Sequence, residues 1–291
     1  MAKVGRWIVR GLLGLAGLAI FAAAGAFTAS EMMIRWPQAK APVSVTAAHD
    51  PGAVARGRRI ATLYGCHDCH GADLTGRLFF DQMPVAKIAG PNLSLLMARQ
   101  SDQDLARAIR TGVAADGRPL WIMPSDAFAR LSDAETADLL AYLRTFPAKG
   151  APQTDKQIGP LGRVGVLAGK FRSAPAILRE AHGVGPADLG AQHLQGRRLA
   201  RACMECHGLD LKGSAVTGAP DLTIAGAYDP ADFERLLRTG IAAGNRKLGL
   251  MSETAPGRFN AMTHDEIMAL HAYLKARADQ PSPPPRTVAR L

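Results

Sequence analysis

The sequence feature that most constrains this chain is the segment Cys66–His70, CHDCH, which recurs as Cys203–His207, CMECH. Both segments have the spacing C-x-x-C-H, and together they contain all four cysteines of the chain. No cysteine is therefore left for a disulfide bond. Any fold for this chain has to bring two thiols and one imidazole close together, and it has to do so twice.

The spacing C-x-x-C-H is typical of covalent haem attachment. Two thiols three positions apart lie on one side of a helical turn, where each can form a thioether to one edge of a porphyrin. The histidine that follows lies under the ring, where its nitrogen can bind the iron. The motifs therefore predict two covalently bound haem c groups, with Cys66, Cys69, Cys203 and Cys206 as attachment residues and His70 and His207 as iron ligands.

Two other kinds of site use closely spaced cysteines. A zinc site would take two C-x-x-C pairs, or one pair with a distant H-x3-5-H. A redox dithiol would follow a strand in a βαβ unit. Neither motif follows a strand pattern; each follows a predicted helix, at Gly57–Tyr64 and Gly196–Ala202. Two copies in similar surroundings favour haem.

The surroundings of the two motifs repeat as well. GRRIATLYGCHDCHGADLTG (57–76) matches GRRLARACMECHGLDLKG (196–213), and RAIRTGVAADGRPL (107–120) matches RLLRTGIAAGNRKL (235–248) without a gap. LSDAETADLLAYLRTF (131–146) matches MTHDEIMALHAYLKAR (262–277). Matching segments of this length indicate a duplicated domain.

Helix signals recur at corresponding places in the two copies. Ser101 with Asp104 predicts the start of a helix that ends at Gly112. Ser132 with Glu135 forms a capping box for a helix that runs to Phe146, and Thr263 with Glu266 repeats the box. Asp229-Pro230 opens the middle helix of the second copy, with proline at the first helical position.

A run of 20 residues without a charge, Gly11–Ser30, precedes both copies and follows Lys3, Arg6 and Arg10. About 20 apolar residues span the hydrocarbon core of a bilayer, and a basic flank stays on the cytoplasmic side. The alternative is a cleaved signal peptide, with Ala24-Gly25-Ala26 at the cleavage site. We expect a single-pass anchor in a bacterial inner membrane, with the remainder of the chain in the periplasm.

The net charge of +10 raises the question of nucleic-acid binding. Residues 1–45 alone carry five positive side chains and one negative one, whereas residues 46–146 carry 11 of each sign. Neither copy concentrates the positive charge as a nucleic-acid-binding domain does. No nucleic-acid partner is expected.

A methionine thioether is the expected second axial ligand of each iron, since it raises the potential. Of the candidates in the first copy, Met83 and Met97 have no methionine counterpart in the second. Met123 and Met251 correspond, with the same offset of 128 residues as the aligned Arg107 and Arg235. Both are expected in loops between two helices. Met262 and Met268 are expected to pack in helices.

Three other side chains have two interpretations each. Trp121, two residues before Met123, could line a haem pocket or pack in the core. Arg110 and Arg238, at matching positions, could pair with haem propionates or lie at a helix end.

Each copy resembles a class I c-type cytochrome domain, by its helix into C-x-x-C-H-G, its Pro-x-Leu loop (Pro91–Leu93 and Pro220–Leu222), its distal methionine and its final helix with Ala-Tyr-Leu. The resemblance implies an all-α fold of two tandem cytochrome c domains behind an N-terminal transmembrane helix. The expected segments are 1–30 (membrane anchor or signal peptide), 31–50 (linker), 51–147 (domain 1), 148–190 (linker), 191–278 (domain 2) and 279–291 (disordered tail).

The whole arrangement is similar to membrane-anchored di-haem cytochromes c. The resemblance implies an electron carrier or electron-transfer subunit rather than an enzyme. Its redox partners would be a dehydrogenase, a quinol-oxidising complex or a terminal oxidase. The alternative is a di-haem peroxidase, which needs one iron with an open or displaceable position.

Overall fold

The computed structural model describes residues 2–153 and 156–280. Contacts within the chain divide it into two compact units. The first combines the residues up to Gly57 with Cys66–Glu180, and the second combines Arg58–Gly65 with the residues from Ala181 onward. The first unit thus takes in part of the predicted linker 148–190. Of the predicted tail, residues 281–291 lie outside the described residues.

Helix α1, Ala2–Arg35, contains the uncharged run near the N-terminus. Within the part of the chain that the structure describes, it is the single helix long and apolar enough to cross a membrane. Its side chains are exposed along nearly the whole length from Val4 onward. The predicted apolar helix is confirmed, and it continues five residues beyond Ser30.

The first unit is built from short helices and one small sheet. Its helices after α1 are α2 (Ala53–Leu63, whose last residues belong to the second unit), α3 (Cys66–His70), α4 (Leu93–Arg99), α5 (Asp102–Thr111), α6 (Ser125–Phe128), α7 (Asp133–Leu143), α8 (Pro160–Leu167) and α9 (Ala174–Glu180). Its strands are β1 (Arg77–Gln82), β2 (Ala86–Gly90) and β3 (Lys156–Ile158).

The predicted caps of the first unit are present. The Ser101 hydroxyl accepts from the Asp104 amide, and α5 ends at Gly112, which is left-handed at φ 68°. Ser132 and Glu135 form the complete capping box of α7. This helix ends at Leu143, three residues before the predicted end, and tighter turns lead on to Pro147.

The small sheet of the first unit was not predicted. Strands β1 and β2 form an antiparallel hairpin directly after the first C-x-x-C-H segment, and β3 pairs antiparallel with β2. Strand β3 comes from the predicted linker 148–190, so the pairing joins segments that are far apart in the sequence.

The predicted linker 31–50 is hydrogen-bonded to the first unit over much of its length. The Gln38 amide donates to the Gly117 carbonyl at 2.9 Å, the Ala47 amide to the Asp102 carboxylate at 2.7 Å, and the Ala48 amide to the Ala137 carbonyl at 3.0 Å. These bonds fix the course of the chain from the end of α1 to the start of α2.

The second unit repeats the helical plan of the first. Its helices are α10 (Leu194–Leu199), α11 (Met204–His207), α12 (Pro230–Thr239), α13 (Leu250–Phe259) and α14 (His264–Ala278), with 3-10 segments at Ala191–His193, Ala200–Cys203, Leu222–Ala227 and Ala243–Asn245. Two short strands, β4 (Ile241–Ala242) and β5 (Arg246–Lys247), form a hairpin. The Asp229 cap of α12 and the Thr263–Glu266 capping box of α14 are confirmed.

A close helix crossing lies at the centre of each unit, and a glycine makes it possible. A Cβ atom on Gly57 of α2 would lie 1.9 Å from the Asp138 carbonyl oxygen of α7. A Cβ atom on Gly196 of α10 would lie 2.1 Å from the Ala269 carbonyl oxygen of α14. Both distances are far below van der Waals contact. The first helix of each repeat therefore packs backbone to backbone on the last.

Candidate haem centres

The two C-x-x-C-H segments fold as short helical turns. Cys66–His70 is the whole of α3, and in the second unit Cys203 ends a 3-10 turn that leads directly into α11. All four cysteines are half-buried, and none is joined to another by a disulfide. The helical turn places the two thiols of each segment on one side, as thioether attachment requires.

Both histidines of the motifs are held by a proline carbonyl. His70 Nδ1 lies 2.9 Å from the Pro91 oxygen, and His207 Nδ1 lies 2.8 Å from the Pro220 oxygen. A carbonyl can only accept, so Nδ1 carries the proton in each ring. Nε2 is left with its lone pair, which is the arrangement of a histidine that binds a metal through Nε2 and is oriented from behind.

Burial keeps both imidazoles neutral. It lowers the pKa of His70 and of His207 below the ordinary value of 6.5, and it outweighs the opposing effect of the proline carbonyls. Neutral imidazole is the form that ligates iron. The charge state and the tautomer of both side chains therefore fit an axial ligand.

The loop that follows each motif has the same backbone in the two units. Gly71 and Gly208 have φ near +80°, and three residues later Leu74 and Leu211 are left-handed at φ 59° and 63°. A leucine in this region is strained by about 1–3 kcal/mol. Each leucine is fully buried. Its carbonyl accepts a hydrogen bond from the amide of Ser94, directly after the first Pro-x-Leu segment, or of Leu222, the last residue of the second.

The residue after each proline stabilises the Pro-x-Leu segment, whose proline carbonyl binds the histidine. Asn92 is buried; its side-chain amide donates to the carbonyls of Lys149 and Ala151, at 2.8 and 3.2 Å, and its oxygen caps α4. Asp221 in the second unit instead binds Arg277 of α14, at 2.7 Å. Neither Asn92 nor Asp221 was predicted to support a site, although each is the middle residue of a Pro-x-Leu segment.

The two predicted distal methionines lie in related positions with different local structure. Met123 is in the loop just before α6, as expected. Met251 was expected in a loop, but it lies in the first turn of α13. Both are half-buried. Their role as iron ligands stays a prediction.

The competing methionines have other environments. Met97 in α4 and Met262 before α14 are almost fully buried in the apolar cores of their units. Met83 is half-exposed in the turn between β1 and β2. Met268 lies inside α14, as expected.

The Cys203 thiol does not suit a redox dithiol. Burial, together with the neighbouring Cys206, raises its pKa to about 12. Redox dithiols depend on a thiolate formed near neutral pH. Among the described residues, no group of three or more His, Cys, Asp or Glu side chains is placed to hold a metal ion. The donor sets fit thioether attachment with one imidazole ligand per site.

The structure shows the contacts of Arg110, Arg238 and Trp121, the three side chains for which the sequence allowed two interpretations. Arg110 pairs with Asp133, and Arg238 donates to the Met262 carbonyl at 2.8 Å and pairs with Glu234. These contacts favour the helix-end interpretation over propionate binding. Trp121 packs in a core cluster with Ile34, Ile158, Val166 and Phe171, which favours the packing interpretation.

The chain is similar in sequence to known proteins. A protein-family model described as cytochrome c matches residues 54–147 and 194–278. A fructose dehydrogenase cytochrome subunit from Gluconobacter japonicus is 25% identical over 268 residues, which cover 79% of this chain. The match covers 53% of that protein, so the chain spans about half the length of this relative.

Proposed function

Because this chain belongs to the cytochrome c family, we propose that it is a membrane-anchored di-haem cytochrome c that passes single electrons from a dehydrogenase or a quinol-oxidising complex towards a terminal acceptor. The observation that carries the proposal is the doubled site. Each unit presents two thiols on one helical turn and an imidazole whose Nδ1 is bound to a proline carbonyl.

The side chains of each site have separate tasks. Cys66 with Cys69, and Cys203 with Cys206, hold one haem c each through thioether bonds. Haem c, when bound, supplies one-electron transfer between ferrous and ferric iron. The proposed iron ligands are His70 and Met123 in the first unit, and His207 and Met251 in the second. Iron held by two protein ligands would favour electron transfer over chemistry at the metal.

The proposed electron donor is a dehydrogenase. The support is the relative from Gluconobacter japonicus, which is described as the cytochrome subunit of fructose dehydrogenase. The likeness covers 79% of this chain but only about half of that protein's length, so it supports the class of donor and not its substrate. In this proposal the chain is the electron-transfer subunit, and a separate subunit oxidises the substrate.

The proposed location is the bacterial inner membrane, with both haem units in the periplasm. Helix α1 is long and apolar enough to cross a bilayer. Arg6 and Arg10 at its start favour a cytoplasmic N-terminus. The residues after Arg35 then lie on the exported side, where haem is attached to C-x-x-C-H motifs in bacteria.

The first test is the number of covalent haems and their assignment to the two motifs. Denatured protein in alkaline pyridine should give two haems per chain. The double variant with Cys66→Ala and Cys69→Ala should keep one, and the matched variant with Cys203→Ala and Cys206→Ala should also keep one. A single haem in the unmodified chain would contradict the di-haem proposal.

The second test is the direction of electron flow. Membranes that contain the chain should pass electrons from a dehydrogenase substrate to both haems, and mild detergent should co-purify the dehydrogenase. Rapid peroxide reduction by the unmodified protein with a donor cytochrome would contradict the carrier role.

A further inference from the structure

Helix α8, Pro160–Leu167, has an apolar outer face that the proposed electron-transfer function does not explain. Leu161 and Val164 are 57% and 60% exposed, and Leu167 is also exposed. They recur at the spacing of one helix face. The single charged residue of this helix is Arg163, whose side chain is directed towards α1.

The exposed face continues onto the neighbouring hairpin. The Leu161 amide donates to the Pro84 carbonyl at 3.2 Å, and the Gly159 amide donates to the Val85 carbonyl at 2.9 Å. Met83 and Val85, in the turn between β1 and β2, are both more than 40% exposed. We call Met83, Val85, Leu161, Val164 and Leu167 the apolar patch.

Helix α8 is fastened to the last turns of α1. The Arg163 guanidinium donates to the Ser30 hydroxyl at 3.0 Å and binds the Glu31 carboxylate at 2.7 Å, and it lies 4.0 Å from the centre of the Phe27 ring. These contacts fall where the uncharged run of α1 ends.

Two exposed tryptophans indicate how deep in the membrane the contact between α8 and α1 lies. Trp7 lies near the start of α1, and Trp36 directly follows its last residue. Both tryptophans are strongly exposed. The two tryptophans are 29 positions apart in the sequence. This offset corresponds to a rise of about 43 Å in a helix, which is close to the thickness of a bilayer with its headgroups, about 40–45 Å. Tryptophans concentrate at both interfaces of a membrane.

The α8 contact lies below the outer interface on this scale. Phe27 to Glu31 are five to nine residues before Trp36, or about 8–14 Å towards the hydrocarbon. Amphipathic helices that rest on a membrane bury their apolar face by a similar depth, about 5–10 Å. The contact of α8 with α1 is thus level with the boundary between headgroups and acyl chains.

We propose that the apolar patch lies in the outer interface of the membrane that α1 crosses, so that α8 is a second membrane contact beside the anchor. The occupant is lipid rather than a protein, since the patch adjoins the end of a membrane-spanning segment. The proposal rests on the membrane anchoring proposed above.

The contact would orient the first haem unit on the membrane. Val166, on the inner face of α8, packs with Ile34 of α1 and with Trp121. The Trp121 indole donates to the Ile34 carbonyl at 3.1 Å. The packed cluster thus joins α1 and α8, and its member Trp121 is two residues before the proposed distal ligand Met123.

The test uses an added cysteine in the full haem-loaded chain. All four native cysteines lie in the haem motifs, so Val164→Cys provides one reactive thiol for an environment-sensitive fluorophore. The matched control is Val216→Cys, at a position in the second unit that is 94% exposed. Both proteins are placed in nanodiscs of phosphatidylethanolamine and phosphatidylglycerol, with and without a quencher attached at the start of the acyl chains.

The probe at position 164 should emit at shorter wavelength than the probe at 216, and the quencher should reduce its emission about two-fold or more. The probe at 216 should be unaffected. Emission from position 164 that is water-like and unquenched, in protein that stays in the nanodisc, would overturn the proposal; a partner-protein surface would give this result.

A failure of the proposed anchor would give a result distinct from a failure of the proposed patch contact. Protein that leaves the nanodisc in high salt, whatever its probe reports, would contradict the proposed anchor. The fluorophore should not react with the chain that has no added cysteine, because all native thiols are bound to haem in this proposal. Labelling of that chain would contradict the proposed thioethers. The haem absorption spectrum of each variant shows whether it has folded.

Discussion

His70 and His207 show at the scale of the residue how a short motif becomes an oriented site. The motif supplies the imidazole, but the carbonyls of Pro91 and Pro220 fix which nitrogen is protonated and how each ring is turned. The two prolines lie 21 and 13 residues away from their histidines. The same bond in both units indicates two sites with the same proximal chemistry.

Met123→Ala and Met251→Ala should each open one iron. Each variant should lose about half of the methionine-to-iron charge-transfer absorption at the red end of the visible spectrum, since the two proposed centres contribute equally. The potential of the altered haem should fall, and it should bind carbon monoxide. Met97→Leu, at a buried core position, is the control and should leave the band unchanged. A full band in either alanine variant would exclude that methionine as a ligand.

Asp102 connects three parts of the first unit and makes its stability depend on pH. Burial alone would raise the pKa of this carboxyl, but the hydrogen bonds from the Ala47 amide and Arg144 outweigh it, so the pKa lies below 3.8. The unfolded chain therefore binds more protons in this range, and the stabilisation is present above pH 3.8 and lost as the pH falls below it.

Asp102→Asn should lower the free energy of unfolding by about 2 kcal/mol at pH 7, because the bonds from Arg144 lose their charged partner. The difference from the unmodified protein should shrink as the solution is acidified through pH 4, measured by urea unfolding. Asp81→Asn is the control, since Asp81 is exposed and lies 3.8 Å from Lys87. A difference that is constant with pH would show that the Asp102 charge contributes nothing.

At the scale of the element, each repeat depends on the close crossing of its first and last helices, α2 with α7 and α10 with α14. Helix propensity alone favours alanine over glycine by about 1 kcal/mol. At Gly57 and Gly196 the partner backbone occupies the place of a side chain, so packing overrides propensity.

Gly57→Ala and Gly196→Ala should each destabilise the unit that contains the crossing, by about 1–3 kcal/mol or more, because the helices are forced apart. Gly257→Ala is the matched control. It lies in α13 with no atom within 4 Å of the added Cβ, so it should be neutral or stabilise by up to about 1 kcal/mol. Circular dichroism during thermal unfolding measures the melting temperatures of the three variants. Equal effects at all three positions would contradict the crossing.

At the scale of the whole molecule, α1 is a candidate membrane anchor for the two cytochrome c units. Its apolar side chains are exposed rather than packed within the protein. An attachment of this kind is hydrophobic, so it does not weaken as ionic strength rises.

The chain should stay with membranes washed in high salt or alkaline carbonate, and detergent should release it. A peripheral electron carrier held by charge is the comparison and should be removed by the same wash. Sequencing of the mature N-terminus is the independent check. A start near Phe27 or Glu31 would show that α1 is cleaved as a signal peptide.

The sequence by itself determined the features that depend on neighbouring residues. The haem motifs, the caps at Ser101, Ser132 and Thr263, and the long apolar helix all rest on contacts within a few positions. The duplication was visible for the same reason, since both copies kept these short patterns. The prediction of Met251 in a loop was wrong because Ser252 follows it where Pro124 follows Met123. A residue before proline is disfavoured in a helix, and Met251 is free of that restriction.

The tertiary structure alone decided what lies between distant segments. The bond from Trp121 to Ile34 joins residues 87 positions apart, and the one from Arg163 to Ser30 joins residues 133 apart. The predicted linker 148–190 had no periodic pattern that assigned it a role, yet it supplies β3 and α8. Such pairings depend on which apolar surfaces the packed helices leave uncovered, and a local pattern carries no information about that.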